Sequence, residues 1–295
     1  MVSVLSACLE NRLTAGLNGR VFRIAAVLLL GVVSAWAHGD LHLQIVEVTK
    51  EIEKAPRNAE LYMRRAELHR AHYDFDLSQA DFDYAFALDP KIAVIDLARA
   101  RMFLEANWPL SCETAVNRYL AKNPENWEGL MIRARARAKL SRGLEAAQDY
   151  TRAIAKAPDG RPELFLERAQ ALAGAGKDHI DEAIKGLDEG IQNMGPLVTL
   201  QLYAMDLESE HGRYDAALKR IDNVMAKAPR KETWLERRGN ILRQAGRLDE
   251  ARKAYQAALD AMKTLPPGRR NVPAMVELEK RLRSNIEGLS GAASK

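Results

Sequence analysis

Cysteine is nearly absent from this 295-residue chain, which holds two, Cys8 and Cys112. So few cysteines leave no disulfide framework and no cysteine-rich metal cluster, so packing must supply the stability. Aromatic residues make up 6%, and the chain has only 18 glycines and 11 prolines, which argues against an all-β fold of short strands and tight turns. Charge of one sign is also lacking. The net of +4 shrinks to +2 when residues 1–37, with Arg12, Arg20 and Arg23 against Glu10, are set aside. A near-neutral body does not point to nucleic acid, whose binding depends on neutralising phosphates. The longest apolar run, Ile24 to Val33, is well short of the roughly 20 residues that span a bilayer.

What is present favours helix. The composition is 47% hydrophobic and 28% charged, rich in alanine, leucine, arginine and glutamate, as expected of a soluble folded chain. Catalytic signatures are missing: there is no glycine-rich phosphate loop, no GxSxG and no HExxH, and the carboxylates follow helical faces. No enzyme activity and no cofactor are expected.

The first 37 residues resemble a secretory leader. Arg20 and Arg23 precede the apolar run, and Ala35-Trp36-Ala37 supplies a small-x-small cleavage pattern. Cleavage after Ala37 places the mature protein in the periplasm or outside the cell, with no membrane span. Translation starting at Val21 rather than Met1 would give a more ordinary leader. Leu5-Ser-Ala-Cys8 lacks the preceding segments that a lipoprotein signal needs.

The stretch Met131 to Leu140 (MIRARARAKL) alternates basic and other residues, the pattern of a half-buried strand or a phosphate grip. Its copies elsewhere decide otherwise. A basic residue followed by a small one recurs at Arg65-Ala66, Arg99-Ala100, Arg133-Ala134, Arg168-Ala169 and Arg238-Gly239, with Ala204-Met205 filling the gap. The intervals are 34, 34, 35, 36 and 34 residues. Units counted from Ala59, Ala93, Trp127, Pro162, Val198 and Glu232, leaving out two extra residues of the fourth, carry a small residue at the twentieth slot: Ser78, Cys112, Ala146, Ala183, Ala217 and Ala251. The twenty-fourth slot is large and apolar: Phe82, Val116, Tyr150, Leu187, Ile221 and Tyr255. Small against large in register is how paired helices interlock. Pro56, Pro90, Pro124, Pro158 and Pro229 punctuate the ends of second helices.

A fixed period of 34 in helical hairpins resembles the tetratricopeptide repeat family, over roughly residues 41–263. The resemblance implies an all-α, right-handed α-solenoid of about six repeats. Residues 38–57 form the mature N-terminus and a capping helix, 58–263 the array, and 264–295 a linker and a C-terminal capping helix at Pro273 to Glu287. Tyr119, Gly190 and Val224 depart from the alanine usual at one slot. Trp108-Pro109 disturbs the second repeat, and extra residues near Lys177 to His179 fall in a turn. On a helix Arg133 takes the shared structural slot, Arg135 faces the inner surface and Arg137 lies nearer the helix pair.

The family resemblance further implies a concave groove, built from first helices, that holds a peptide or protein partner. The slots facing it include Met63, Glu67, Arg70, Leu97, Arg101, Met131, Arg135, Leu166, Gln170, Leu202, Asp206 and Asn240. They give an apolar row flanked by polar residues, with Arg101 and Arg135 available to hold a carboxylate. Two rival readings stand beside this scaffold. A mature N-terminus His38-Gly-Asp-Leu-His42 offers His38, Asp40 and His42 to a metal such as copper, and an assembly component would use its outer helix faces. His69 and His72, three apart on a helix, are expected at the surface.

Overall fold

The computed structural model describes residues 40–158 and 160–292; the leader segment and His38 lie outside them. The regular secondary structure of those residues is helical, with no strand. The chain divides into two compact units, through Lys122 and from Asn123 onward.

The first unit holds α1 (40–54), α2 (Ala59–Ala71), α3 (Phe75–Leu88), α4 (Ala93–Glu105) and α5 (Pro109–Lys122). The second holds α6 (Trp127–Lys139), α7 (Gly143–Lys156), α8 (Pro162–Ala175), α9 (Ile180–Met194), α10 (Val198–Glu210), α11 (Tyr214–Lys227), α12 (Glu232–Gln244) and α13 (Leu248–Lys263). A short α14 (Pro267–Arg270) then leads to α15 (Pro273–Ala292). From α2 to α13 the helices pair as hairpins, α2 with α3, α4 with α5, and so on.

The repeating slots explain the packing. All six small residues of the twentieth slot are 0% exposed, and the six large ones of the twenty-fourth are at most 2% exposed. Removing side chains of this size from water stabilises the fold by about 1.5–3 kcal/mol each. Ser78, the one polar member, donates its hydroxyl to the carbonyl of Ala66 at 2.8 Å. Cys112 sits in the same small slot, and burial pushes its thiol up to about 12, which makes it a packing residue with little thiolate.

Turns inside the hairpins share a backbone solution. Tyr73, Asn107, Ser141, Gly212 and Gly246, all at the fifteenth slot, have φ of 66°, 59°, 61°, 72° and 74°. This left-handed residue closes the first helix, as a glycine at the same point commonly does. Each proline at 56, 90, 124, 158 and 229 stands two residues past the end of a second helix. Pro109 does not disturb the second repeat. It is the first residue of α5, where its missing N–H is no loss and its fixed φ suits the helix. The extra residues of the fourth repeat, Lys177–His179, wind into a 3₁₀ turn between α8 and α9.

At the far end α15 lays Met275, Leu278, Leu282 and Leu289 on a core that includes Tyr255, Leu259 and Met262 of α13. These positions form one stripe of the helix, so the last hairpin's apolar side is covered.

Candidate protein-binding face

The recurring arginine is a strut between helices. Arg65 grips Asp81 through Nε and Nη2, both at 2.7 Å, and Arg133 grips Asp149 at 2.8 and 2.7 Å. Arg99 instead reaches back to Asp83 at 2.5 Å, and Arg238 back to Asp222 at 3.0 Å. Arg168 pairs with Glu189 at 2.6 Å. In the fifth repeat, whose arginine slot holds Ala204, Arg220 of α11 occupies the same region and bridges Glu208 and Asp188. Arg137 also donates to Asp149 at 2.8 Å, so it lies against the helix pair.

Slots facing away from these struts lie on the first helices. In the first unit Met63 and Glu67 are half-buried, and Arg70 donates to Glu67 at 2.7 Å and to Glu105 of α4 at 2.7–2.8 Å. Leu97 is 5% exposed and belongs to the core, so it offers no surface to a partner. Arg101 is half-buried on α4.

In the second unit Met131, Leu166 and Leu202 form a row of half-buried apolar side chains on α6, α8 and α10. Arg135 faces the neighbouring first helix, where its Nε and Nη2 donate to Glu167 at 2.8 Å each. The carboxylate that Arg135 holds is therefore one of this chain's own. Tyr150 adds its hydroxyl to Glu167 at 2.8 Å, and burial together with that carboxylate raises the phenol's pKa. One hairpin pair later the polarity reverses, with Asp206 accepting from Arg237. Both pairs join the ninth slot of one repeat to the sixth slot of the next. Gln170 is exposed between them, and Asn240 accepts a hydrogen bond from Tyr255 at 2.8 Å. Glu236 pairs with Arg281 of α15 at 2.9 Å.

The bidentate Arg135–Glu167 pair is costly to pull apart, so this face offers an incoming chain its apolar row more readily than that arginine. Glu167, Arg237 and Tyr150 were not apparent as members of the face. Opposite signs at the ninth and sixth slots of successive repeats are the signal that would have found them.

Asp40 and His42 are exposed on α1, and among the described residues no cluster of three or more His, Cys, Asp or Glu side chains suits a metal ion. His69 is 9% exposed rather than at the surface, because it lies in the turn of α2 against Asp74 and Asp81. No described helix is long and apolar enough to cross a membrane.

A family model described as a tetratricopeptide repeat matches residues 113–161, and one described as a tetratricopeptide repeat-like domain matches residues 177–273. The chain carries tetratricopeptide repeats. Among solved structures, a tetratricopeptide repeat protein from Parabacteroides merdae ATCC 43184 is 19% identical with a TM-score of 0.52, covering 88% of this chain and 98% of that one. PilW, described as a widely conserved type IV pilus biogenesis factor, is 18% identical with a TM-score of 0.52, covering 71% and 94%. Identities this low establish the shared helical repeat fold alone. No curated protein matches the sequence. In tetratricopeptide terms, the face described above is the side of the first helices, and the arginine struts lie between first and second helices.

Proposed function

We propose that this tetratricopeptide repeat protein is a non-enzymatic scaffold of the bacterial cell envelope that binds a protein or an extended peptide along its first helices. The observation that carries this is the row Met131, Leu166 and Leu202, left partly open to solvent between charges that are already neutralised in pairs. Methionine and leucine adapt to varied apolar side chains, and the paired charges set a polar rim. Export to the periplasm or beyond is supported by Arg20, Arg23, the apolar run and Ala35-Trp36-Ala37.

Met131→Glu combined with Leu166→Glu tests the face. Capture of the native partner from an envelope extract should weaken by about tenfold or more, the loss expected of a central apolar contact. A folded variant with unchanged capture would contradict the reading. The mass of the protein recovered from the host envelope tests export, since processing after Ala37 leaves a chain starting at His38.

A further inference from the structure

In the second unit a cavity of about 590 Å³ opens where three successive repeats meet, lined chiefly by Ile191, Val198, Val224, Pro229 and Trp234, with Lys227 at its edge. None of its lining residues is among the slots of the first-helix face.

Its origin is a mismatch in register. The twenty-seventh slot elsewhere holds Ala85, Ala153, Gly190 and Ala258, all buried, with Tyr119 as the other exception to Val224. This slot meets the third slot of the following repeat: a Cβ added at Gly190 would lie 2.9 Å from Leu200 Cδ1. Third-slot residues Ile95, Leu164 and Leu200 are fully buried. At the next junction both sides are large, Val224 facing the third-slot residue Trp234 of α12. Neither is fully buried, and both line the opening. Trp234 packs against the core cluster that includes Ile221 and Leu242 and also lines the cavity.

The polar side chains lining this cavity are Gln201, Asn223 and Lys227, so the one charge among them is positive. Lys227 is exposed and has no ion-pair partner among the described residues. The Gln201 side-chain oxygen already accepts from Arg220 at 3.3 Å, which leaves its NH₂ to donate. Among the described residues that line it there is no carboxylate. The volume falls within the range of small-molecule sites, which combine an apolar lining with a few placed polar groups.

We propose that this cavity binds a small amphipathic carboxylate, its apolar body against Trp234, Val224 and Ile191 and its carboxylate on Lys227 and Gln201. No covalent step is involved.

Sodium decanoate, kept in its monomeric range, is the probe, titrated into the full chain while tryptophan emission is followed. A saturable blue shift is expected, lost in Trp234→Phe and kept in Trp127→Phe. Lys227→Gln should weaken decanoate about threefold, the effect of one partly exposed ion pair, and should leave decan-1-ol unaffected. Val224→Trp, which fills the space, should abolish saturation. A non-saturating response, a shift that survives Trp234→Phe, or equal decanoate affinity in Lys227→Gln and the parent protein would overturn the proposal. The two single substitutions keep it decidable should Val224→Trp fail to fold.

Discussion

Asp149 of α7 receives the guanidinium of Arg133 of α6 at 2.7 and 2.8 Å while being only 2% exposed. Arg137 adds a third donor at 2.8 Å, so one buried carboxylate ties two arginines to a second helix. Asp149→Asn should therefore destabilise the chain by about 3–5 kcal/mol, because it strands partly buried positive charge. Replacing the whole cluster, Arg133→Met and Arg137→Met with Asp149→Leu, should recover most of that loss. Urea denaturation measures both.

Gly239 and Gly174 make opposite predictions for one substitution. A Cβ at Gly239 would lie 2.4 Å from Cε1 of Tyr255, a fully buried ring whose hydroxyl is tied to Asn240. Gly239→Ala should destabilise by about 1–3 kcal/mol, outweighing a helix-propensity gain of about 1 kcal/mol. A Cβ at Gly174 meets nothing within 4 Å. Gly174→Ala should stabilise by about 0.5–1 kcal/mol, and thermal melting of the two variants gives the signs.

Ser141 occupies the left-handed slot that Gly212 and Gly246 fill in later repeats. Ser141→Gly should stabilise by about 1 kcal/mol and Gly246→Ala should cost a similar amount, since a Cβ is disfavoured at these angles. Equal melting temperatures for Ser141→Gly and the parent would count against a strained turn.

His69 gives a pH dependence. Burial lowers its pKa below the ordinary 6.5, assisted by Arg65 and opposed by Asp81 and Asp74, which stand 3.9 and 3.8 Å away. The folded chain then binds fewer protons here than the unfolded chain. This contribution to stability is fully present above pH 6.5 and is lost as pH falls from there toward the lower folded value. Comparing the parent with His69→Gln in denaturant titrations between pH 7.5 and pH 5 isolates it; parallel curves would remove His69 as the cause.

The hairpin frame was legible in the sequence because sterics are local to each slot. Ala146 against Tyr150 or Ala251 against Tyr255 carries its size in its identity, and the intervals near 34 residues place it. Electrostatic partners were not legible in the same way. Arg65 and Arg133 pair sixteen residues ahead, whereas Arg99 and Arg238 pair sixteen residues back. A long side chain between two second helices takes the carboxylate on whichever side supplies one. For the same reason Arg135, read as a ligand for a partner's carboxylate, is held by Glu167, which belongs to a neighbouring helix rather than to its own. His69 escaped because three-residue spacing on a helix does not reveal what the following turn folds over it.

The central claim is that a partner lies along the first helices. A photoreactive residue at Gln170, exposed on α8, is compared with one at Gln148, exposed on α7, in the native host. The account predicts one discrete crosslinked protein from position 170, lost when Met131→Glu and Leu166→Glu are added, and none from position 148. Crosslinking from 148 alone, or from 170 unchanged by those substitutions, would contradict it.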